Sequence, residues 1–432
     1  MDFVARAISV LGIAVIIFLG GMAVRHFDLW PSPEVRDAIR GAQAWLDESG
    51  HHKTLYESAL YSWAHDDRTG LVVNEPEAYE GYTLYLSGHD SMAFLLDGDG
   101  NEVHRWSKRY DEVFSNPAHI DDEVDEQFVH FRRAHLFPNG DLLAIMERVG
   151  TTPYGLGLVK LDKDSNVIWA FADHTHHHLA VGEDGCIYAL VHDFREDFPE
   201  GFDDRGLQTP YLEDWLVVLS PEGEELERIS ITNALAKGGF DDVYTRMPSD
   251  YKGDYSHTNT VTVLPADLAD RFPFAKAGDL MLSLRQSHLI AFLDPQTGVV
   301  TRILSGAWRY QHDPDFLPSG NILLLDNKGH YGEGGASRVI EVDPETTAIE
   351  WSYAGTEDEP FFSDVMSSQQ RLANGNTLVT ESKRGRVFEV TRDGKIVWDF
   401  RNPARSEPNP EEVAVVMGAQ RYSPEDLTFL NQ

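Results

Sequence analysis

One short structural plan recurs six times along this chain of 432 residues. Each copy has a strand, a tight turn centred on glycine, a second strand, and an acidic or glycine turn that ends on tryptophan or an aliphatic residue. The plainest copies are residues 312–324 and 370–379, each followed by a third strand and then by Trp351 or Trp398. Such a period of short strands indicates repeated small sheets, because no single copy can bury both of its faces.

The repeats predict an all-β fold, a six-bladed β-propeller over residues 76–432. The first copy begins at Tyr82, and four copies have a glycine at the matching turn, where a tight hairpin needs a positive φ: Gly140, Gly185, Gly320 and Gly375. The first and third copies are irregular, so five or seven blades are alternatives to six.

Composition agrees with a large globular domain. The chain is 42% hydrophobic and 11% aromatic, and its formal net charge of -35 argues against nucleic acid as a partner. Its only cysteine, Cys186, excludes an internal disulfide and lies in a strand-like run typical of a core.

The N-terminal segment predicts export and a membrane anchor. Residues 7–24 are uncharged and mostly apolar, which is just long enough to span a bilayer. We assign residues 1–30 to a transmembrane helix or signal segment and residues 31–75 to a short helical lead-in. Cleavage near Ala23 is the alternative to a retained anchor. Either way, the propeller is expected outside the inner membrane, in the periplasm or outside the cell, with the anchor as a single-pass helix.

Histidines recur at one position of the repeat. Eight residues before the turn glycine lie Arg132, His177, His312 and Ser367, and His257 falls in a similar place before a longer turn. The first strand of a propeller blade lines the central channel, so these positions are expected to form a ring around the axis.

The second half of the chain resembles the arylsulfotransferase family. The resemblance runs from His257 to Pro403 and depends on a set of short motifs: His257–Thr260, Gln311–Asp313, Leu317–Asn321, Asp326–Asn327, Ser337–Asp343 and Gln370–Leu378. Members of that family are six-bladed propellers that move a sulfuryl group between phenols without a nucleotide donor.

The resemblance implies ping-pong transfer through a channel histidine, with no cofactor and with an aryl sulfate or another anionic aromatic molecule as ligand. It implies His257, His312 and Arg338 as catalytic residues. Residues expected to bind the substrate are Arg132, His177, His330, Asn327 and Gln369. We predict no metal site and leave protein partners undefined.

Two alternatives stay open. The bacterial enzymes of the family have, in the last blade, the histidine that carries the sulfuryl group covalently. At this place the present chain has residues 367–370, Ser-Ser-Gln-Gln. That departure favours a non-catalytic propeller, a binding or scaffold protein of the cell envelope. The histidine-rich run 173–178 could bind a transition metal or form an exposed loop, with His176 and His178 expected on the same side of a strand.

Overall fold

The computed structural model describes residue 12, residues 15–21, residue 55, and residues 58–202, 207–246, 253–330 and 337–431. By internal contacts the chain divides into two units, Met1–Thr54 and Leu55–Gln432. In the first unit residues 15–21 are helical; the rest of the predicted span 7–24 (apart from residue 12) and the lead-in up to residue 54 lie outside the described residues. Within the described part of the chain, no helix is long and apolar enough to cross a membrane.

The second unit is a six-bladed propeller. Two strands precede the first blade: β1 (Tyr61–Trp63) and β2 (Gly70–Asn74). The first blade contains β3 (Tyr82–Ser87), β4 (Met92–Leu96) and β5 (Glu102–Ser107). The second has β6 (Val129–Leu136), β7 (Leu142–Arg148), β8 (Gly155–Leu161) and β9 (Val167–Phe171). The third has β10 (Thr175–Val181), β11 (Ile187–Arg195), β12 (Tyr211–Leu219) and β13 (Glu225–Ser230), followed by helix α1 (Ile231–Lys237).

The remaining blades follow the same order. The fourth has β14 (Thr258–Val263), β15 (Leu280–Leu284), β16 (Leu289–Asp294) and β17 (Val299–Leu304). The fifth has β18 (His312–Phe316), β19 (Ile322–Asp326), β20 (Arg338–Val342) and β21 (Ile349–Tyr353). The sixth has β22 (Ser368–Arg371), β23 (Thr377–Glu381), β24 (Arg386–Val390) and β25 (Ile396–Arg401). Two strands end the chain, β26 (Glu412–Ala414) and β27 (Val416–Tyr422).

The two ends of the chain close the ring, and this corrects two boundaries expected from the sequence. Strand β27 pairs with β3 and is the innermost strand of the first blade, so the copy beginning at Tyr82 supplies only the outer three strands. Strand β2, expected in the lead-in 31–75, is a fifth, outermost strand of the sixth blade. Counting contiguous repeats misses both features, because each strand pairs with a segment more than 300 residues away.

The core lies between neighbouring blades. Six apolar clusters among the described residues each join one blade to the next around the ring. Along β7, for example, Leu142 and Ala144 face the first blade, whereas Leu143 and Ile145 face the third. This alternation follows from the period of two in a strand and explains why middle strands such as β7 and β19 are largely apolar on both faces.

The predicted turn glycines are equivalent. Gly140, Gly185, Gly320 and Gly375 each lie between the first and second strands of a blade, with φ between 82° and 90°. Backbone with such φ values is readily adopted by glycine and rarely by residues with a Cβ atom, so the repeat conserves the residue that the turn requires.

The recurring tryptophan holds successive blades together. On the fourth strand of four blades, an indole N–H donates to a main-chain carbonyl in a turn of the next blade. The pairs are Trp106 with Gly140, Trp169 with Pro221, Trp351 with Arg392, and Trp398 with Gly98. In the fourth blade the guanidinium of Arg302 donates to Pro344 of the next blade instead. In four of the six blades, the tryptophan of the fourth strand is therefore an inter-blade contact.

Candidate functional site

The polar residues of the channel come from β-bulges at the start of the inner strands. In β6 the bulge lies between Phe131 and Ala134, and in β10 between His176 and Leu179. Strand β18 has one between His312 and Asp315. A bulge leaves consecutive residues out of the regular alternation, so one residue faces the channel mouth and its neighbour faces the channel interior.

Four of the predicted ring residues meet at the mouth. The rings of His177 and His257 are 4.9 Å apart, edge to face. The pKa of His177 lies well below its ordinary value because the ring is buried and because the positive charge of Arg132 lies nearby. The backbone of His177 and His257 has positive φ, 52° and 43°, which residues with a Cβ atom rarely adopt.

Each of these three histidines is held through Nδ1. In His312, Nδ1 donates to Oδ1 of Asn327 at 2.7 Å and to the main-chain oxygen of Tyr310 at 3.0 Å. In His257, Nδ1 makes a very short contact with Oδ2 of Asp254. In His177, Nδ1 contacts Nδ1 of His176 at 2.9 Å and the hydroxyl of Tyr154 at 3.0 Å. Among the described residues, none forms a hydrogen bond to Nε2 of any of the three.

Arg132 and Glu147 form the wall behind these imidazoles. Both side chains are buried, and Nε of Arg132 lies 3.6 Å from Oε2 of Glu147. Arg132 also donates to the main-chain oxygen of Met417 at 3.2 Å, and the main-chain N–H of His177 donates to Glu147 at 2.5 Å. Burial raises the pKa of Glu147, and the opposing charge of Arg132 lowers it.

His312 is neutral at physiological pH in this environment. Burial and the nearby Arg285 lower its pKa to about 3, although the bond to Asn327 acts in the opposite direction. An anion bound beside the ring would favour the protonated form. When the mouth is empty, His312 can therefore offer a lone pair.

Below the mouth, the channel interior holds a cavity of about 220 Å³ lined by all six inner strands. Asp313 lies at its upper end, where Oδ1 is 3.4 Å from Nη2 of Arg133 and 3.2 Å from Nε2 of His178. Burial lowers the pKa of His178 to about 4, while Arg133 and His178 hold that of Asp313 at about 2 despite its burial. This cluster of three residues separates the mouth from the interior.

Asp315 faces the interior and gives a pH-dependent prediction. Burial and the charge of Asp313 raise its pKa from 3.8 to about 6. The carboxyl group of Asp315 therefore binds its proton more tightly in the folded protein than in the unfolded chain. As the pH rises from about 4 to about 6, this difference lowers the free energy of unfolding. We expect the free energy of unfolding of Asp315→Asn, minus that of the wild type, to increase across this window and to level off above it. Urea unfolding at a series of pH values measures this difference, and a difference independent of pH would contradict the raised pKa.

Three other predicted residues lie apart from the four at the mouth, and a fourth, Asn327, contacts His312. Arg338 is paired with Asp326 at 2.9 Å and donates to the main-chain oxygen of Ala307. Gln369 donates to the main-chain oxygen of Asp313 at 2.6 Å and lines the interior cavity. His330 forms no hydrogen bond, ion pair or ring contact with any residue that the structure describes. Asn327 is buried and acts through His312, because its amide nitrogen is used by the main-chain oxygens of Ser363 and Met366.

The histidine-rich run 173–178 does not form an exposed loop, and His176 and His178 do not share a side. His176 is buried beside His192 and Asp214, whose ligand-type atoms lie within 4.8 Å of one another. However, the rings of His176 and His192 are stacked 4.2 Å apart, so their lone pairs do not converge. The main-chain N–H of Tyr154 also donates to Nε2 of His192 at 3.2 Å. These contacts favour a hydrogen-bonded network over a metal centre.

Sequence reasoning missed several residues of the site. Arg133, His178 and Asp313 directly follow the ring residues Arg132, His177 and His312. A doubled polar residue at the start of a strand is the signal that could have indicated them, because only a bulge lets both members face the channel. Asp214 and Glu147 gave no such signal, since each lies in a different part of the chain from the histidine that it contacts. Asp254 lies only three residues before His257, so its contact is local.

The fold and the site together define a propeller with an imidazole-lined channel mouth. The arylsulfotransferase (ASST) family model matches residues 133–403, more than half of the chain. The chain therefore belongs to the arylsulfotransferase family.

Solved structures agree on the fold at low sequence identity. A protein of unknown function from Bacteroides caccae superposes with a TM-score of 0.50 and 10% identity, covering 79% of this chain and 99% of that one. A virginiamycin B lyase from Staphylococcus aureus superposes with a TM-score of 0.36 and 10% identity, covering 63% and 69%. The first likeness concerns the fold alone, and the second is too distant for any inference. Among proteins of curated function, none matches the sequence.

Proposed function

We propose that this protein transfers sulfuryl groups from aryl sulfates to phenolic acceptors through a histidine at the channel mouth. The observation that carries the proposal is the shared anchoring of His177, His257 and His312. Each uses Nδ1 for a partner within the protein, and no described residue forms a hydrogen bond to Nε2, which stays accessible for chemistry. A neutral imidazole held in one tautomer is suited to act as a nucleophile or as a general base.

Local charge supports an anionic substrate despite the net charge of the chain. Arg132 is buried beside the three imidazoles, and Arg285 acts on His312. These guanidinium groups could stabilise the sulfuryl oxygens as negative charge spreads over them in the transition state. Glu147 neutralises part of the charge of Arg132, which keeps Arg132 in position when no ligand is bound.

The alternative is a propeller of the cell envelope that binds a ligand without turnover. It is favoured by Ser367, the sixth-blade residue at the ring position. Its hydroxyl donates to Oγ of Ser363 and accepts from the main-chain N–H of Ser382, so it is fully engaged within the protein. Location outside the inner membrane stays a prediction for both functions.

Rapid mixing with a chromogenic aryl sulfate tests the proposal. We expect an initial burst of phenol and an acid-labile adduct of sulfate mass on one of the three histidines. A control variant, His104→Gln, changes a histidine on the outer strand β5 of the first blade and should leave the burst unchanged. If the protein binds the aryl sulfate but shows neither burst nor adduct, the covalent mechanism is wrong and the binding function is supported.

A further inference from the structure

A buried carboxylate lies at the start of a polar chain that ends at the channel mouth. Oδ2 of Asp214 accepts hydrogen bonds from Oγ of Ser256 and from the main-chain N–H of Thr258, both at 2.6 Å. The side chain is 2% exposed. Burial alone would raise the pKa of Asp214, but His176, Ser256 and Thr258 outweigh it and keep the pKa below its ordinary value. Asp214 is therefore ionised in the folded protein.

This charge determines where the proton lies on His176. Nε2 of His176 lies 3.3 Å from Oδ1 of Asp214, an ion-pair distance with imperfect hydrogen-bond alignment. A carboxylate cannot face an imidazole lone pair at this distance without repulsion, so Nε2 carries the proton. When the ring carries this one proton, Nδ1 has the lone pair.

The tautomer of His177 follows from that of His176. Their Nδ1 atoms are 2.9 Å apart, and because Nδ1 of His176 is the acceptor, Nδ1 of His177 must be the donor. The hydroxyl oxygen of Tyr154, 3.0 Å away, is a second acceptor for the same N–H. Nε2 of His177 consequently has the lone pair and no partner among the described residues.

The main chain holds the ring of His177 in this position. Its φ of 52° lies in the left-handed region, within the bulge of β10, and its N–H is fixed by Glu147. The neighbouring imidazole of His257 has a different anchor, Asp254, which is 32% exposed. The carboxylate behind His177 is Asp214, which acts through His176 and is the buried one of the two. An ionised group in a dry site acts on its neighbours more strongly than an exposed group.

We propose that His177 is the nucleophile of the sulfuryl transfer and that Asp214 and His176 are positioning residues that act through it. The inference rests on the proposed function and names the histidine that carries the covalent intermediate. In the first half-reaction, Nε2 of His177 forms a bond to sulfur while the bond from sulfur to the aryl oxygen breaks and the phenolate leaves with the electron pair. Positive charge develops on the ring of His177, and its Nδ1 proton moves toward His176, whose cationic form Asp214 stabilises.

In the second half-reaction a phenolate acceptor attacks the sulfur, and the bond between sulfur and Nε2 breaks. The electron pair returns to Nε2, and the proton returns to Nδ1 of His177. The reaction therefore needs no cofactor and no net change in protonation of the three residues. His257 and His312 lie beside the reacting group, where each could accept the proton of a phenol that enters un-ionised.

Mapping the adduct tests the choice of histidine. After rapid mixing with an aryl sulfate and alkaline quench, peptide mass spectrometry should find the sulfate mass on His177. An adduct on His257 or His312 would overturn the inference and leave the proposed function intact. The absence of any adduct, together with no burst, would overturn both.

The variant Asp214→Asn tests the positioning residues by two readouts. Ser256 and Thr258 require an acceptor, so the amide oxygen should take their side and the NH₂ group should face His176. In this orientation of the amide, the tautomers of His176 and His177 are both reversed, and Nε2 of His177 carries a proton. We expect the burst rate to fall by roughly 10²-fold or more, as when a triad imidazole is held in the wrong tautomer.

The second readout does not depend on sulfuryl transfer. Diethyl pyrocarbonate acylates unprotonated imidazole nitrogens, and peptide mapping gives its rate at each histidine. In Asp214→Asn the rate at His177 should fall by about tenfold, while the rates at His257 and His312 stay the same. The control Asp279→Asn changes a buried carboxylate of the fourth blade, at the start of β15, and should alter none of the three. Equal acylation of His177 in wild type and Asp214→Asn would overturn the role of Asp214, and a fall at all three sites would indicate a merely structural effect.

Discussion

Replacing His312 with glutamine should lower the turnover of an aryl sulfate by roughly 10²–10⁴-fold, the usual contribution of a positioned acid–base group. Glutamine has a similar length and retains a hydrogen-bonding group, but it cannot exchange a proton at the position of Nε2. Because His312 is buried and held by Asn327, no other side chain can move into its place without repacking. Steady-state kinetics of phenol release measure the loss, and circular dichroism checks that the fold persists.

The control for this prediction is His104→Gln, on the outer strand of the first blade. His104 contacts the main-chain oxygen of Lys163 and lies outside the channel, so the variant should keep the turnover of the wild type. Equal turnover in both variants would remove His312 from the mechanism. A large loss in both would instead point to damage of the fold.

Ending the chain after residue 410 should prevent folding of the propeller. This truncation removes β26 and β27, and with them the innermost strand of the first blade. Strand β3 would then expose an unpaired edge, and the apolar contacts of Val416 and Met417 would be lost. The cost should exceed the roughly 5–15 kcal/mol that stabilises a typical domain. We expect insoluble protein, or a chain without a cooperative thermal transition by calorimetry.

A shorter truncation, after residue 426, is the matched control. It keeps β27 and removes Leu427 and Phe429, which pack against the first and second blades. The protein should fold with its stability lowered by roughly 3 kcal/mol or more, the scale of deleting large buried side chains. A cooperative transition in the chain ending at residue 410 would show that the ring does not need its last strand.

The fold could be read largely from the sequence because it depends on local patterns. Turn glycines such as Gly320 and strand-ending tryptophans such as Trp398 recur with the repeat, and each reports a requirement of its own blade or of the next one. Closure of the ring could not be read in this way. Strands β2 and β27 resemble ordinary strands, and nothing local indicates which distant edge each will pair with.

The candidate site was predictable only as far as it shares the repeat. Position in the repeat predicted that His177 and His312 belong to one ring, and the structure places them within electrostatic reach of each other. The carboxylates behind the imidazoles do not follow the period. Asp214 comes from the third strand of the blade that holds His176, so their contact arises from the pairing of strands and not from spacing. Asp254 differs, because it lies only three residues before His257 and their contact is local.

The pairing of β3 with β27 also sets the order in which this protein can fold during synthesis. At ~5–20 residues per second, a ribosome adds the residues that separate the two strands in roughly 15–65 s. Throughout that time, the edge of β3 that pairs with β27 stays unpaired. Arg132 also lacks the carbonyl of Met417, which accepts a hydrogen bond from its guanidinium, until the same last strand is made. A nascent chain therefore carries five complete blades and an open seam until its last strand is released.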